Sequence, residues 1–202
     1  MSEDPEQQNV EGGEGAEPVA PKNILKAEQI APGLSHIAKT HDGASYAFTN
    51  LVLEEKELEE LGESLRPYQH LRFLSLSKNQ LKDVSEILHL PFLLTFQATE
   101  NQIASIDFLG AARDQSLHYL QHLILTKNKL TALPSIPLPR LTRLLLNENE
   151  IATCAAFDGH PAILHLDLSK NKLQNMAGLS NMPQLQVLDL TENEVADVTQ
   201  GL

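Results

Sequence analysis

Six asparagines constrain this chain more than anything else in it. Asn79, Asn101, Asn128, Asn149, Asn171 and Asn193 follow one another at 22, 27, 21, 22 and 22 residues. Each stands in the same frame, L-x-x-L-x-L-x-x-N-x-L, with a further apolar residue three positions on. The third copy is typical: Leu120, Leu123, Leu125, Asn128, Leu130 and Leu133. A weaker copy precedes the six, using Phe48, Leu51, Leu53, Leu58 and Leu61, with Lys56 where the asparagine belongs. Such in-phase spacing over more than a hundred residues is the mark of a repeat architecture.

Each position in the frame has a physical task. The x-L-x-L segment alternates with period two, as a short strand does, so its leucines point to one side. Stacked copies form a parallel sheet. The asparagine sits where the chain leaves the strand, and its amide is expected to satisfy backbone groups of its own and the next repeat. A period near 22 leaves too few residues for a long helix on the return path. Pro91, Pro139, Pro161 and Pro183 fall two residues before the first leucine of a repeat and stop the return segment from extending as a helix. The spacing therefore predicts an α/β solenoid of the leucine-rich-repeat type. That is a right-handed superhelix with a parallel sheet on its concave face and short 3-10 or turn segments on its convex face. The interval of 27 implies five extra residues near positions 110–116, as a loop or short helix on the outer face.

Domain limits follow from composition. Residues 1–30 are expected to form an acidic disordered tail: the first twenty hold six acids, no base, and several Gly and Pro. The tail is either an interaction segment or a solvated leader. Residues 31–202 are the repeat domain, with one degenerate and six regular repeats. Residues 33–40 (GLSHIAKT) are expected to be a short amphipathic capping helix, with Leu34 and Ile37 covering the first repeat. At the far end Gly201 and Leu202 fall inside the sixth return segment, with no capping element after them. Another chain covering that end, or a longer chain, is the expectation.

Function classes narrow in the same way. A net charge of −12 opposes nucleic-acid binding, which needs clustered Lys and Arg. The lone Cys154 occupies an inward leucine position, and no run approaches the ~18 apolar residues of a membrane span. No signal-peptide layout precedes the repeats, which points to an intracellular, cytoplasmic chain. No nucleophile, acid–base pair or cofactor motif is present, so neither catalysis nor a cofactor is expected. His118 and His122 are four apart, but His122 lies on a strand, so the pair would not share a face for a metal.

The outward strand positions are left to carry function. In order they are Phe73 and Ser75, Thr95 and Gln97, His122 and Ile124, Arg143 and Leu145, His165 and Asp167, and Val187 and Asp189. His122, Arg143 and His165 should stack as a basic column beside an apolar Ile124–Leu145 patch. Phe73, Asp167 and Asp189 flank it. Such a surface suits protein binding. A second column, just before the asparagines, alternates in sign: Glu55, Lys78, Glu100, Lys127, Glu148, Lys170, Glu192. Each charge should have opposite neighbours on both sides and so support register.

Three stretches carry a more specific likeness: GLSHIAKT (33–40), LRPYQHLRFLSLSKNQLKD (65–83) and LLTFQATEN (93–101). On these the chain resembles the leucine-rich-repeat-containing protein 23 family of axonemal radial-spoke proteins, across about residues 30–106. The resemblance implies a structural component of the cilium or flagellum, docked to radial-spoke subunits and supporting the beat. The alternative is a cytosolic or nuclear regulatory module, such as the repeat subunit of a protein phosphatase, which shares the 22-residue period.

Overall fold

The structure, a computed structural model, describes residues 21–110 and 116–196. One sheet runs through it in strict chain order. Its strands are β1 (Leu34–Lys39), β2 (Tyr46–Val52), β3 (Phe73–Ser75), β4 (Thr95–Gln97), β5 (His122–Ile124), β6 (Arg143–Leu145), β7 (His165–Asp167) and β8 (Val187–Asp189). All neighbours from β2 onward pair in parallel, with each repeat in the same register as the last. The return segments are turns and two 3-10 helices, Ser85–His89 and Asp107–Leu109. About twenty residues must leave a strand and return one strand spacing away, and a tight return is the only path that short.

The core is a continuous ladder. Leu51, Leu74, Phe96, Leu123, Leu144 and Leu166 pair in register through the sheet, and all are buried. Leucines two and seven positions on, such as Leu125 and Leu130, fill the space between the sheet and the return segments. Full burial of one such side chain stabilises by roughly 1.5–3 kcal/mol. The repeat is thus a one-layer core extended by stacking.

The asparagines bind backwards, which corrects the sequence expectation. Asn101 Nδ2 donates to its own turn at Ala98 O (3.2 Å) and to Leu76 O of the preceding repeat (3.0 Å). Its Oδ1 accepts from Leu81 N, again of the preceding repeat, at 3.0 Å. The pattern recurs at Asn79, Asn128, Asn149, Asn171 and Asn193. Lys56 is tolerated because the first repeat has no repeat behind it to reach. Its backbone N–H instead donates to Asn79 Oδ1.

The amino-terminal cap also differs from expectation. Residues 33–40 do not form a helix. Leu34–Lys39 is a strand that pairs antiparallel with β2, with Leu34 opposite Leu51 and Lys39 opposite Tyr46. The intervening Asp42-Gly43 makes the turn: Gly43 has φ 71°, and Asp42 Oδ1 accepts from Ala44 N at 3.0 Å. A two-strand hairpin supplies the backbone partners that the first parallel strand needs, which a helix could not. Leu34 packs on the core as expected, whereas Ile37 is 63% exposed.

The tail boundary moves as well. Residues 22–30 belong to the folded unit, because Leu25 and Ile30 are buried under the first repeat. Ile24 bridges Glu60, Lys22 pairs with Glu60, and Asn23 Nδ2 donates to the Lys56 and Glu57 carbonyls at 3.0 and 3.1 Å. A short helix α1 (Ala27–Ile30) leads into the hairpin. The acidic stretch at 1–20, most of the expected insertion (111–115) and the last residues (197–202) lie outside the described residues. In the sixth repeat Leu185, Leu188, Leu190 and Val195 are half-buried.

Candidate protein-binding face

The outward strand positions form two columns on one face, because strand register is conserved through the sheet. Phe73, Thr95, His122, Arg143, His165 and Val187 pair in succession. Beside them run Ser75, Gln97, Ile124, Leu145, Asp167 and Asp189. Sequence reasoning therefore brought together the residues that the structure brings together. Arg143 is exposed; His122, Ile124, Leu145 and His165 are half-buried by their neighbours along the columns. His122 Nδ1 lies 3.3 Å from the Thr95 hydroxyl. The centre of the face is a guanidinium flanked by two imidazoles, beside two adjacent branched side chains.

The two ends of this face are less available. Ser75 is buried, because its hydroxyl donates to Glu54 Oε1 at 2.6 Å and that carboxylate folds over it. Asp167 Oδ1 accepts from Ser169 N and Oγ at 3.0 and 2.7 Å, and Asp189 Oδ1 accepts from Thr191 N and Oγ1 at 2.9 and 2.8 Å. These two carboxylates cap the turns at the strand ends. The Thr191 bonds, with a smaller contribution from His165, hold the Asp189 carboxyl below the usual carboxylate range.

The charged column is paired rather than continuous. Lys78 meets Glu55 at 2.6 Å, Lys127 meets Glu100 at 3.4 Å, and Lys170 meets Glu148 at 3.9 Å. Each lysine leans toward the repeat before it, so a charge has one close partner and not two. The hydrogen bond to Lys78 lowers the Glu55 carboxyl and raises the Lys78 ammonium. All seven residues of the column have positive φ, between 53° and 57°. This is the left-handed corner where the chain turns out of the strand into the asparagine.

Sequence reasoning missed one part of the face. On the hairpin, Phe48, Asn50 and Val52 alternate outward, and Asn50 pairs with Phe73. Ile37 is opposite Phe48, so Ile37, Tyr46, Phe48 and Val52 extend the concave face as an exposed apolar strip. The signal was available in the alternation of 46–52 and in the Asp-Gly turn between two extended runs.

Other expected residues fall as follows. His118 sits in the turn before β5, edge-on to Tyr119 at 5.3 Å, away from the His122 contact with Thr95. Cys154 is buried, and burial pushes its thiol up to about 12. Among the described residues no cluster of His, Cys, Asp and Glu could hold a metal, and no helix is long and apolar enough to cross a membrane.

Comparison with known proteins gives the same picture. No family model matches the chain. An internalin of Listeria monocytogenes superposes with a TM-score of 0.62 at 28% identity, over 72% of this chain and 41% of that one. Leucine-rich repeat-containing protein 23 of Bos taurus is 34% identical over 134 residues. The chain belongs to the leucine-rich-repeat family. The Homo sapiens protein of the same name as the bovine one is 33% identical over the same length. The match covers 66% of this chain and 37% of the bovine protein, so the chain spans well under two thirds of the length of these curated relatives. This leucine-rich-repeat chain is a repeat solenoid.

Proposed function

We propose that this leucine-rich-repeat chain is a non-catalytic docking scaffold of the ciliary or flagellar axoneme, serving in the radial spoke to support motility. The observation that carries the reading is the likeness to leucine-rich repeat-containing protein 23 over 134 residues. The concave columns supply the surface. His122, Ile124, Arg143, Leu145 and His165 offer a basic centre with an apolar flank, and arginine is among the residue types enriched in binding hot spots. Phe73 lies toward the hairpin end of this surface, and Asp167 and Asp189 hold its far corner in shape.

Fractionation tests the reading. Demembranated axonemes from motile cilia are expected to retain the protein through salt washes that remove soluble cytoplasm, and its loss is expected to weaken spoke assembly. Recovery in cytosol or nucleus, above all in a stable complex with a phosphatase catalytic subunit, would replace it with the regulatory reading.

A further inference from the structure

The position immediately before the first leucine of each repeat also forms a column, along the rim where the chain enters the strands. It begins His70, Phe92, Tyr119, Arg140. The His70 and Phe92 rings stack with centroids 5.7 Å apart and planes 7° apart, and Phe92 and Tyr119 stack at 6.1 Å. Arg140 Cζ lies 4.7 Å over the Tyr119 ring. His41, from the hairpin turn, stacks on Phe92 at 5.0 Å. Two adjoining hollows open on this stack. One, of about 210 Å³, is lined by Lys39, His41, His70, Arg72, Phe92 and Tyr119 among others. The second, of about 330 Å³, shares His41, Phe92 and Tyr119 and adds His118.

The rim is cationic in a chain whose net charge is −12. Among the described residues no carboxylate lies within ion-pair distance of Lys39, Arg72 or Arg140. Lys26, Lys56, Lys82, Lys129 and Arg143 likewise have no such partner among the described residues; the rim differs in gathering its cations on an aromatic stack. Asp42, in the hairpin turn beside His41, feels His70 only weakly, and its carboxylate accepts from the Thr40 hydroxyl and the Ala44 N–H. The Arg72 guanidinium donates once, to the Lys39 carbonyl at 3.4 Å, and both side chains line the first hollow. A guanidinium stacked on an aromatic ring uses its face and leaves its in-plane N–H donors for a carboxylate. The first hollow is smaller than the roughly 300–1,000 Å³ of most small-molecule sites, and the second lies at their lower edge.

We propose that this rim groove docks an acidic peptide segment of a partner protein. Its carboxylates pair with Lys39, Arg72 and Arg140, and its intervening side chains enter the two hollows beside Phe92 and Tyr119. The groove is separate from the concave columns and stands whether or not the axonemal reading does.

A fluorescein-labelled dodecapeptide of glutamates with two tyrosines, titrated with the full chain and read by anisotropy, tests it. The expected result is saturable binding that weakens at least tenfold in K39E/R72E and separately in R140E. These exposed sites should leave the melting temperature unchanged, and binding should weaken as salt rises. R143E, on the concave face, should bind the peptide as the unaltered chain does. Equal binding by K39E/R72E, or no binding by either protein, overturns the proposal, as does equal binding of an oligothymidylate of the same length. The chain's own N-terminal acids are the rival occupant. In that case the peptide binds only after Glu3, Asp4, Glu6, Glu11, Glu14 and Glu17 are changed to their amides, and the partner proposal falls. Salt-sensitive dimerisation of the unaltered chain that K39E/R72E abolishes would equally assign the groove to a second copy and overturn it.

Discussion

The side-chain amide of Asn128 donates to the carbonyl oxygen of Ala98, one turn back in the solenoid, at 2.8 Å. It also donates to Leu125 O at 3.0 Å and Thr126 O at 3.2 Å, while its Oδ1 accepts from Ile103 N at 3.1 Å. One buried amide therefore satisfies four backbone groups in two repeats. Asn128→Ala orphans the Ile103 N–H, while Ala98 O, Leu125 O and Thr126 O each keep a second donor in Asn101 Nδ2, Asn149 Nδ2 and Glu100 N. The substitution should cost about 1–3 kcal/mol. Asn128→Asp should cost more at neutral pH, since a carboxylate would face three carbonyl oxygens with no proton to donate. Urea midpoints of the two variants check the order.

His160 gives the stability a pH dependence. It is buried on Phe157, with Nδ1 accepting from Ala162 N (3.2 Å), which places the proton on Nε2 for the Leu138 carbonyl (3.1 Å). Burial holds its pKa below the ordinary imidazole value. The unfolded chain thus binds a proton that the folded chain resists. Stability should be complete above about pH 6.5 and be lost as pH falls from there toward the depressed folded value. His160→Gln should flatten the urea midpoint between pH 7.5 and 5, and an unchanged slope would reassign the effect to another group.

Gly178 marks the tightest backbone approach between repeats. Its φ is +85°, and a Cβ there would lie 1.8 Å from the Cys154 carbonyl oxygen. Gly178→Ala must displace backbone and should destabilise by roughly 2 kcal/mol or more. Gly43→Ala is the control: its φ is +71° but nothing lies within 4 Å, so only about 1–2 kcal/mol of left-handed strain is expected. Thermal melts of both variants separate crowding from strain.

The interior was legible because one residue type in one phase encodes it. Leu123, Leu144 and Leu166 could be placed inward from alternation alone, and the same alternation placed His122, Arg143 and His165 outward together. The cap was not legible from phase. GLSHIAKT carries apolar residues at spacings that suit either a helix or a strand, and only the Asp42-Gly43 turn, read with 46–52, decides between them. Leu25 and Ile30 were hidden in a composition otherwise typical of a tail. The direction of the asparagine bonds was invisible because a repeated sequence does not distinguish forward from backward neighbours. The rim stack was overlooked because His70, Phe92, Tyr119 and Arg140 share a position but not a residue type.

Leu144 and Arg143 are adjacent in sequence and opposite in role. Leu144 is fully buried between Leu123 and Leu166, so Leu144→Ala should cost about 2–5 kcal/mol as a cavity variant. Arg143 and Leu145 point away from that core, so Arg143→Glu with Leu145→Asp should lower the melting temperature far less than Leu144→Ala, the remaining cost coming from the carboxylate introduced at position 145 facing Asp167 across the sheet.

On the proposed function, the concave columns hold a partner of the axoneme. The direct measurement is quantitative recovery of radial-spoke subunits from detergent-extracted axonemes on the immobilised chain and on its R143E/L145D variant. Spoke subunits should be enriched on the unaltered chain and fall at least tenfold on the folded double variant. Equal recovery on both, or no enrichment on either, would contradict that function.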